Sequence, residues 1–470
     1  MAEVRSGGTY RVEPDFAARQ SILWSIAWLV GAAGLAVVLY ALLLVPGITH
    51  AIPLLSYGRL HAVADTTLWF GWLATAGFAA AYAIVPRIAE VQLHNEVLGA
   101  ATTLTWSVLL TVGVAGLVLG VNQGRLLAEL PAGIDLGVLL MLVFVLFNVG
   151  ATVVRRREKT LYVSGWYLLA ASLLAPIVYV VGNLPIIRGL SGLIASGFYQ
   201  NGLMMLWFLP VGLAIAHYVI PVETGNALYS GALARAGFWS LIFAGGWTGQ
   251  RLFLKGPGPR YLESIAVAMT FVLLVPVLSS VANLYATARG RWSALADMFA
   301  LRFAVTGLGL AAVWIGLTAF YSIPFVSKYF GLTSYEAALR YFAGFGVFSS
   351  FAFAFIYHAY PLMVGRDWWS RPLASIHFWT SVGGAALATG GLFGAGAGQA
   401  GSLVGAGASG LTQAMKSGAG LQRMFELEVV AGAAIFALGQ LVFAFNTYRT
   451  SRAGPLVTHV PARPMVASRA

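Results

Sequence analysis

Imidazole is the side chain with which this protein could most readily bind a metal or a haem, because its 470 residues include no cysteine. The seven histidines are His50, His61, His94, His217, His358, His377 and His459. Neutral imidazole is a ligand of iron and copper, whereas the lack of thiols excludes disulfides, iron–sulfur clusters and cysteine nucleophiles. On a helix, His61 and Asp65 would share a face, so that the carboxylate could hydrogen-bond the ring. This pair is therefore the first candidate for cofactor chemistry.

The elements that position these side chains are predicted to be transmembrane helices. With 59% hydrophobic and 9% charged residues, the chain carries more apolar surface than a soluble protein can bury. A helix needs about 20 apolar residues to cross the hydrocarbon core. Runs of this length lie near 21–45, 60–85, 97–121, 133–154, 161–185, 193–220, 231–253, 264–287, 302–325, 338–363, 374–397 and 428–447. The predicted fold class is an all-α polytopic membrane protein of about twelve helices.

The predicted organisation is a single transmembrane domain at residues 21–447, between a cytoplasmic N-terminal segment at 1–20 and a cytoplasmic C-terminal tail at 448–470. Residues 391–420 are rich in Gly, Ala and Ser, which predicts a flexible outer loop. The formal charge of +12 is spread over short loops, so a nucleic-acid partner is not expected. Most basic residues fall in the segments taken as cytoplasmic, so both termini are predicted to be inside.

Several stretches, taken in order along the chain, resemble the catalytic subunit of the haem-copper oxidases. Those with the clearest similarity are Gly58-Arg59-Leu60-His61, Arg156-Arg157-Glu158, Gly182-Asn183-Leu184-Pro185, Trp247-Thr248-Gly249 and His377-Phe378-Trp379. The resemblance is closest to the C-type, or cbb-type, cytochrome c oxidases, and nitric oxide reductases are more distant. It implies a ring of twelve helices around cofactor pores, in a bacterial or archaeal cytoplasmic membrane.

In the resembling family, six histidines hold a low-spin haem, a high-spin haem and a copper ion, and only one of them is matched here. His61 matches the low-spin haem ligand on the second span. The other five positions fall on Asn201, Arg251, Leu252, Leu339 and Tyr341. Neither arginine nor leucine can replace an imidazole as a metal ligand. The remaining histidines lie too far along their helices to refill these positions, and only His50 shares the outer side with His61.

Glu129 matches one of the acidic residues that, in this family, lie near a haem propionate and a bound calcium ion. Two interpretations stay open for it, a remnant of the calcium site and a solvated loop charge. Asp65 is the carboxylate predicted to support the His61 ring from within the membrane.

Three functions remain open from the sequence. The first is a catalytically degenerate core or scaffold subunit of a respiratory electron-transfer complex, holding at most one haem b through His61 and no copper. It would work with other membrane subunits, including ones of the cytochrome c type. The second is an active terminal oxidase or nitric oxide reductase, so the enzyme question stays open. The third is transport or conduction through the emptied cavity, with Arg251 binding an anion and Tyr341 or Trp207 filling the haem volume.

Overall fold

A computed structural model describes residues 13–45, 47, 52–184, 187–331, 333–406 and 411–456. His50 and His459 lie outside the described residues, and so do residues 1–12 and 457–470 of the two predicted terminal segments. In lipid, each backbone polar group needs a partner within the protein, and a helix supplies these partners locally. The regular secondary structure of the described part of the chain is accordingly helical, apart from an isolated bridge between Arg366 and Leu456.

The main helices follow the predicted apolar runs. They are α1 Phe16–Leu44, α2 Tyr57–Ala89, α3 Glu96–Leu119, α4 Ala132–Val154, α5 Val163–Asn183, α6 Gly189–Thr224, α7 Gly231–Gly245, α8 Arg260–Thr287, α9 Phe299–Tyr321, α10 Tyr335–Val364, α11 Arg371–Ala406 and α12 Leu411–Ala453. Short helical turns cover Pro53–Leu55, Gly249–Phe253, Trp292–Ala296 and Pro324–Phe330. Within the described residues, all of the main helices except α7 and α11 are long and apolar enough to span a membrane. The all-α membrane fold class is confirmed.

Three helices, α2, α6 and α10, form the inner part of the bundle. In their most apolar stretch, 100%, 94% and 89% of the residues are buried inside the protein, whereas the corresponding share is 56% or less in the other spanning helices. Each inner helix contains a π-helical stretch, at Thr67–Ala74, Leu203–Phe208 and Phe342–Phe348. Such stretches are rare and are frequently found at functional sites. The functional region is therefore expected where these three helices meet.

The prediction of an outer loop at 391–420 is wrong, because most of these residues belong to the helices α11 and α12. These helices pack together so closely that side chains would not fit at several glycines. A Cβ on Gly384 would lie 2.5 Å from the backbone nitrogen of Phe436, and one on Gly391 would lie 2.9 Å from the carbonyl oxygen of Phe425. Small residues permit this close approach of helices in membranes. The Gly and Ala content therefore encodes a helix–helix interface.

Some predicted boundaries also move. Helix α1 begins at Phe16, before residue 21, because the carboxylate of Glu96 accepts hydrogen bonds from the backbone N–H groups of Asp15 and Ala17 at 3.1 and 2.8 Å. Helix α12 continues beyond residue 447 to Ala453. Helix α7 ends at Gly245, and the chain then turns tightly past α6, where a Cβ on Gly249 would collide with the backbone of Gly197.

Candidate functional site

His61 lies in the first turns of α2, with its ring against Tyr341, at a position predicted for a haem ligand. The hydroxyl of Tyr341 donates a hydrogen bond to Asp65 Oδ1 at 2.9 Å and lies 3.3 Å from His61 Nε2. Because the single hydroxyl proton is directed to Asp65, the phenol oxygen accepts from His61 Nε2–H. His61 Nδ1 is 3.7 Å from Asp65 Oδ2, too far for the predicted direct hydrogen bond. The imidazole and the carboxylate are thus linked through Tyr341.

Asp65 is completely buried and faces a cation from α10. Its Oδ2 atom is 3.9 Å from Arg340 Nε and accepts no hydrogen bond within the described residues. The guanidinium of Arg340 lies over the ring of Tyr341, 5.2 Å from its centroid, and Tyr40 of α1 packs edge-on against the same ring at 6.2 Å. Asp65, Arg340, Tyr341 and His61 therefore form a closed network between α2 and α10.

The residues around His61 do not fit a low-spin haem. A haem iron held by His61 would require the Nε2 atom, which already lies within hydrogen-bonding distance of Tyr341. The position expected to supply the opposite ligand is occupied by that same phenol. Leu339, the other vacated position on α10, is buried and carries no donor atom. A porphyrin cannot be placed between two side chains in direct contact.

The positions predicted for the copper ligands are also engaged in protein contacts. The amide of Asn201 donates to the hydroxyl of Thr248, which follows α7. Arg251 is buried, and its Nη1 atom is 2.8 Å from Glu336 Oε1. Leu252 is partly buried beside it. A copper site needs imidazole donors, and a guanidinium at its centre would repel the ion. Within the described residues, no group of three or more His, Asp or Glu side chains is placed to hold a metal ion.

Aromatic rings fill the interior between the three π-helical stretches. Trp207 and Phe208 stack with centroids 4.9 Å apart, and Trp69 lies 5.2 Å from Phe208. Phe348 of α10 lies 6.0 Å from Phe208 and 5.5 Å from Trp314. All five rings are buried. Because protein interiors are close-packed, a haem placed between these three stretches would have to displace this cluster, and none of the five rings offers it a ligand atom.

Two partners in these networks were missed by the sequence analysis. Glu336 and Arg340 are four residues apart on α10, and each reaches a different part of the bundle, Arg251 after α7 and Asp65 on α2. The available signal was a pair of opposite charges at the start of an otherwise apolar span, since ionisable groups within a membrane are costly unless paired. Through these two pairs, α10 connects to Arg251, at a predicted copper position, and to Asp65, beside the predicted haem ligand His61.

Three further histidines are also held by protein groups. His217 Nδ1 is 2.8 Å from the carbonyl oxygen of Leu213, and His358 Nδ1 is 2.6 Å from Glu223 Oε1. His377 contacts the hydroxyl of Tyr357 at 3.0 Å through Nδ1 and a glutamine side chain at 3.2 Å through Nε2. The contact of His217 lies within α6, whereas those of His358 and His377 join neighbouring helices.

Glu129 lies in the loop between α3 and α4 and is largely buried, with one carboxylate oxygen lacking a hydrogen-bond partner within the described residues. Burial, reinforced by the negative charge of Asp65 and opposed by Arg340, raises the pKa of the Glu129 carboxyl to about 8. A solvated loop charge is therefore the wrong interpretation. A calcium site would need several more oxygen ligands around this one carboxylate.

Comparisons with known proteins agree with this architecture. The family described as Cytochrome C and Quinol oxidase polypeptide I matches residues 17–416. The Cbb3-type cytochrome c oxidase subunit CcoN1 of Stutzerimonas stutzeri is 27% identical over 93% of this chain and 94% of that protein. The bacteroid cytochrome c oxidase subunit 1 homolog of Bradyrhizobium diazoefficiens is 24% identical over 98% and 86%.

A solved structure of a heme-copper terminal oxidase dimer shares the fold, with a TM-score of 0.76 and 14% sequence identity over 96% of this chain and 86% of that one. The predicted resemblance to haem-copper oxidases, closest to the cbb type, is confirmed. The family match spans most of the chain, from α1 into the last helix. The protein therefore belongs to the cytochrome c and quinol oxidase polypeptide I family.

Proposed function

We propose that this chain is a non-catalytic core subunit of a membrane electron-transfer complex, in which ion pairs replace the metal links of its family. The observation that carries the proposal is the double pairing of α10, through Arg251–Glu336 at 2.8 Å and Arg340–Asp65 at 3.9 Å. In the family, metal-bound histidines connect the second, sixth, seventh and tenth spans. Here side chains at or beside the same positions make the connections directly.

The chemistry of oxygen or nitric oxide reduction is not supported by these residues. A bound haem and copper would supply the electrons and the site at which the substrate binds. This chain offers one imidazole for six positions, and that imidazole contacts Tyr341. Arg251 and the aromatic cluster around Trp207 occupy the remaining volume.

Transport through an emptied cavity is likewise disfavoured. Arg251 was the candidate anion ligand, but its charge is compensated by Glu336 at 2.8 Å. Trp207 stacks on Phe208 at the centre of the bundle, where a conducting path would have to pass. Dense packing of this kind leaves no room for a solute.

As a core subunit, the chain would organise partners. Members of this family work in membrane complexes with other subunits. We propose that this chain holds membrane subunits of the same kind of complex, including ones of the cytochrome c type, in a bacterial cytoplasmic membrane. Both termini lie inside in this arrangement, with the arginines at 155–157 on the cytoplasmic side.

The test is cofactor analysis of the protein purified from its own membranes. Haem is measured by pyridine haemochrome and copper by elemental analysis, on the natural chain and on His61→Ala. We expect neither cofactor at one per chain, and equal assembly of the complex with both forms. One haem per chain that is lost in His61→Ala, or stoichiometric copper with oxygen reduction, would overturn the proposal.

The scaffold role itself is tested by removing the chain. In membranes that lack it, the partner subunits should no longer migrate as one complex on a native gel, and re-expression of the His61→Ala chain should restore that complex. If the complex assembles equally well without the chain, the scaffold role is wrong even when no cofactor is found.

A further inference from the structure

A large cavity with both charged and apolar walls opens at the end of the bundle where the described chain begins and ends, which is the cytoplasmic end in the orientation proposed above. Its volume is about 980 Å³, at the upper end of the usual range for small-molecule sites. The wall comes from the start of α1, the ends of α2, α4, α6 and α10, and the loop between α2 and α3. The residues of the networks around His61 and Arg251 do not line this cavity.

Most acidic groups near the cavity are already compensated. Asp15 receives two hydrogen bonds from Arg87, at 3.0 and 2.8 Å. Glu96 caps the first turn of α1, where the positive end of the helix dipole favours a carboxylate. Glu223, behind the wall, contacts His358 at 2.6 Å. Glu90 also lines the cavity.

Arginine side chains also line the cavity at the end of α4. Arg155 and Arg157 both line the cavity, and both are exposed. The backbone N–H of Arg157 donates to the carbonyl oxygen of Ala89 at 3.0 Å, which ties this loop to the end of α2. Between them, Arg156 donates back to the carbonyl oxygen of Val153 and does not line the cavity. Three more basic residues line the cavity, namely Arg87, His94 and His358, of which Arg87 is paired with Asp15 and His358 with Glu223.

We propose that this cavity binds an anionic phosphate ester, with the phosphate between Arg155 and Arg157. The guanidinium group presents a planar fork of N–H donors that matches phosphate oxygens, and such charge-assisted bonds are stronger than neutral ones. The deeper wall is apolar, with Val222, Leu362 and the ring of Tyr218, and suits the organic part of the ester. Basic pockets between membrane helices bind phospholipid headgroups, and the same Arg–phosphate chemistry would bind a soluble phosphate ester.

The experiment distinguishes these two sources and does not depend on the proposed scaffold function. The full chain is placed in phosphatidylcholine nanodiscs, and its thermal unfolding is followed with increasing glycerol 3-phosphate. In a second arm, phosphatidylglycerol is added to the nanodiscs and no soluble ester is present. We expect a rise in Tm in at least one arm, and the responding arm identifies the source. A bound ligand stabilises the folded state in proportion to its occupancy.

The variants Arg155→Gln and Arg157→Gln should each weaken the apparent affinity by about tenfold or more, because one charge-assisted contact is lost. Arg156→Gln is the matched control, since it removes the same charge from the same loop without touching the cavity. All three side chains are exposed, so the fold should be unaffected. No Tm shift in either arm, or an equal loss of the shift in Arg156→Gln, would overturn the proposal.

Discussion

Replacing Arg340 by methionine should destabilise the protein more than any single substitution of an exposed arginine. The change removes the cation that faces Asp65 and leaves the side-chain volume nearly filled. Asp65 has no exposed surface, so its carboxylate cannot turn to water when the partner is lost. The variant therefore leaves a buried, uncompensated charge inside the bundle.

The magnitude follows from the distance and the burial. At 3.9 Å, two unit charges attract by about 4 kcal/mol in a medium with an effective dielectric constant of about 20. Removal of one member of a buried ion pair costs roughly 3–5 kcal/mol. Tyr341 still donates a hydrogen bond to Asp65 at 2.9 Å, which offsets part of the loss. We expect the free energy of unfolding to fall by about 3 kcal/mol.

The assay is a double-mutant cycle on Asp65 and Arg340. Unfolding is followed by tryptophan fluorescence while sodium dodecyl sulfate is added to mixed micelles. Arg340→Met and Asp65→Leu are compared singly and together, since replacement of both members by apolar residues is often neutral. The double variant should recover to within about 1 kcal/mol of the natural chain. The control is Arg235→Met, at an exposed position, which should change stability by no more than about 0.5 kcal/mol.

A double variant whose loss equals the sum of the two single losses would refute this reasoning. It would mean that Asp65 and Arg340 act independently, because a double-mutant cycle measures the coupling between two residues. The ion pair could then not replace a metal link between α2 and α10.

Three further predictions concern the predicted haem position, the loop between α3 and α4, and the last helix pair. Tyr341→His places a second imidazole beside His61, so haem bound per chain should rise in the haemochrome assay; an unchanged content would show that the phenol is not what excludes haem. The natural protein should lose stability as the pH rises from about 4.3 to 8, by at most about 1.4 kcal/mol per pH unit, because the Glu129 carboxyl ionises first in the unfolded chain. Denaturation at a series of pH values measures this fall, and Glu129→Gln should remove it. A fall that persists in the variant would implicate another group. Gly432→Leu should separate α11 from α12, because even a Cβ at residue 432 would collide with Ala388. The control is Gly150→Leu, which should lower Tm less, since nothing lies near a Cβ at residue 150.

The membrane character and the placement of the helices were determined by the sequence alone. Apolar runs of sufficient length form helices wherever water is absent, because local hydrogen bonds are the only partners for the backbone. The ordered motifs around His61 and Trp247 likewise identified the family, and they predict five ligand positions without imidazole. These properties depend on residue type and spacing along the chain, which a sequence displays directly.

The partners of those five positions were decided by the tertiary structure. Arg251 suggested an anion site until Glu336 was found 2.8 Å away, on a helix separated from it by 85 residues. Asp65 was expected to bond His61 directly. Instead it accepts a hydrogen bond from Tyr341 and faces the positive charge of Arg340, both on α10. The Gly-rich stretch near residue 391 was expected to be a loop but lies in α11, where its small residues pack against α12. Such contacts arise from the packing of distant helices, whereas composition and spacing report only on the local chain.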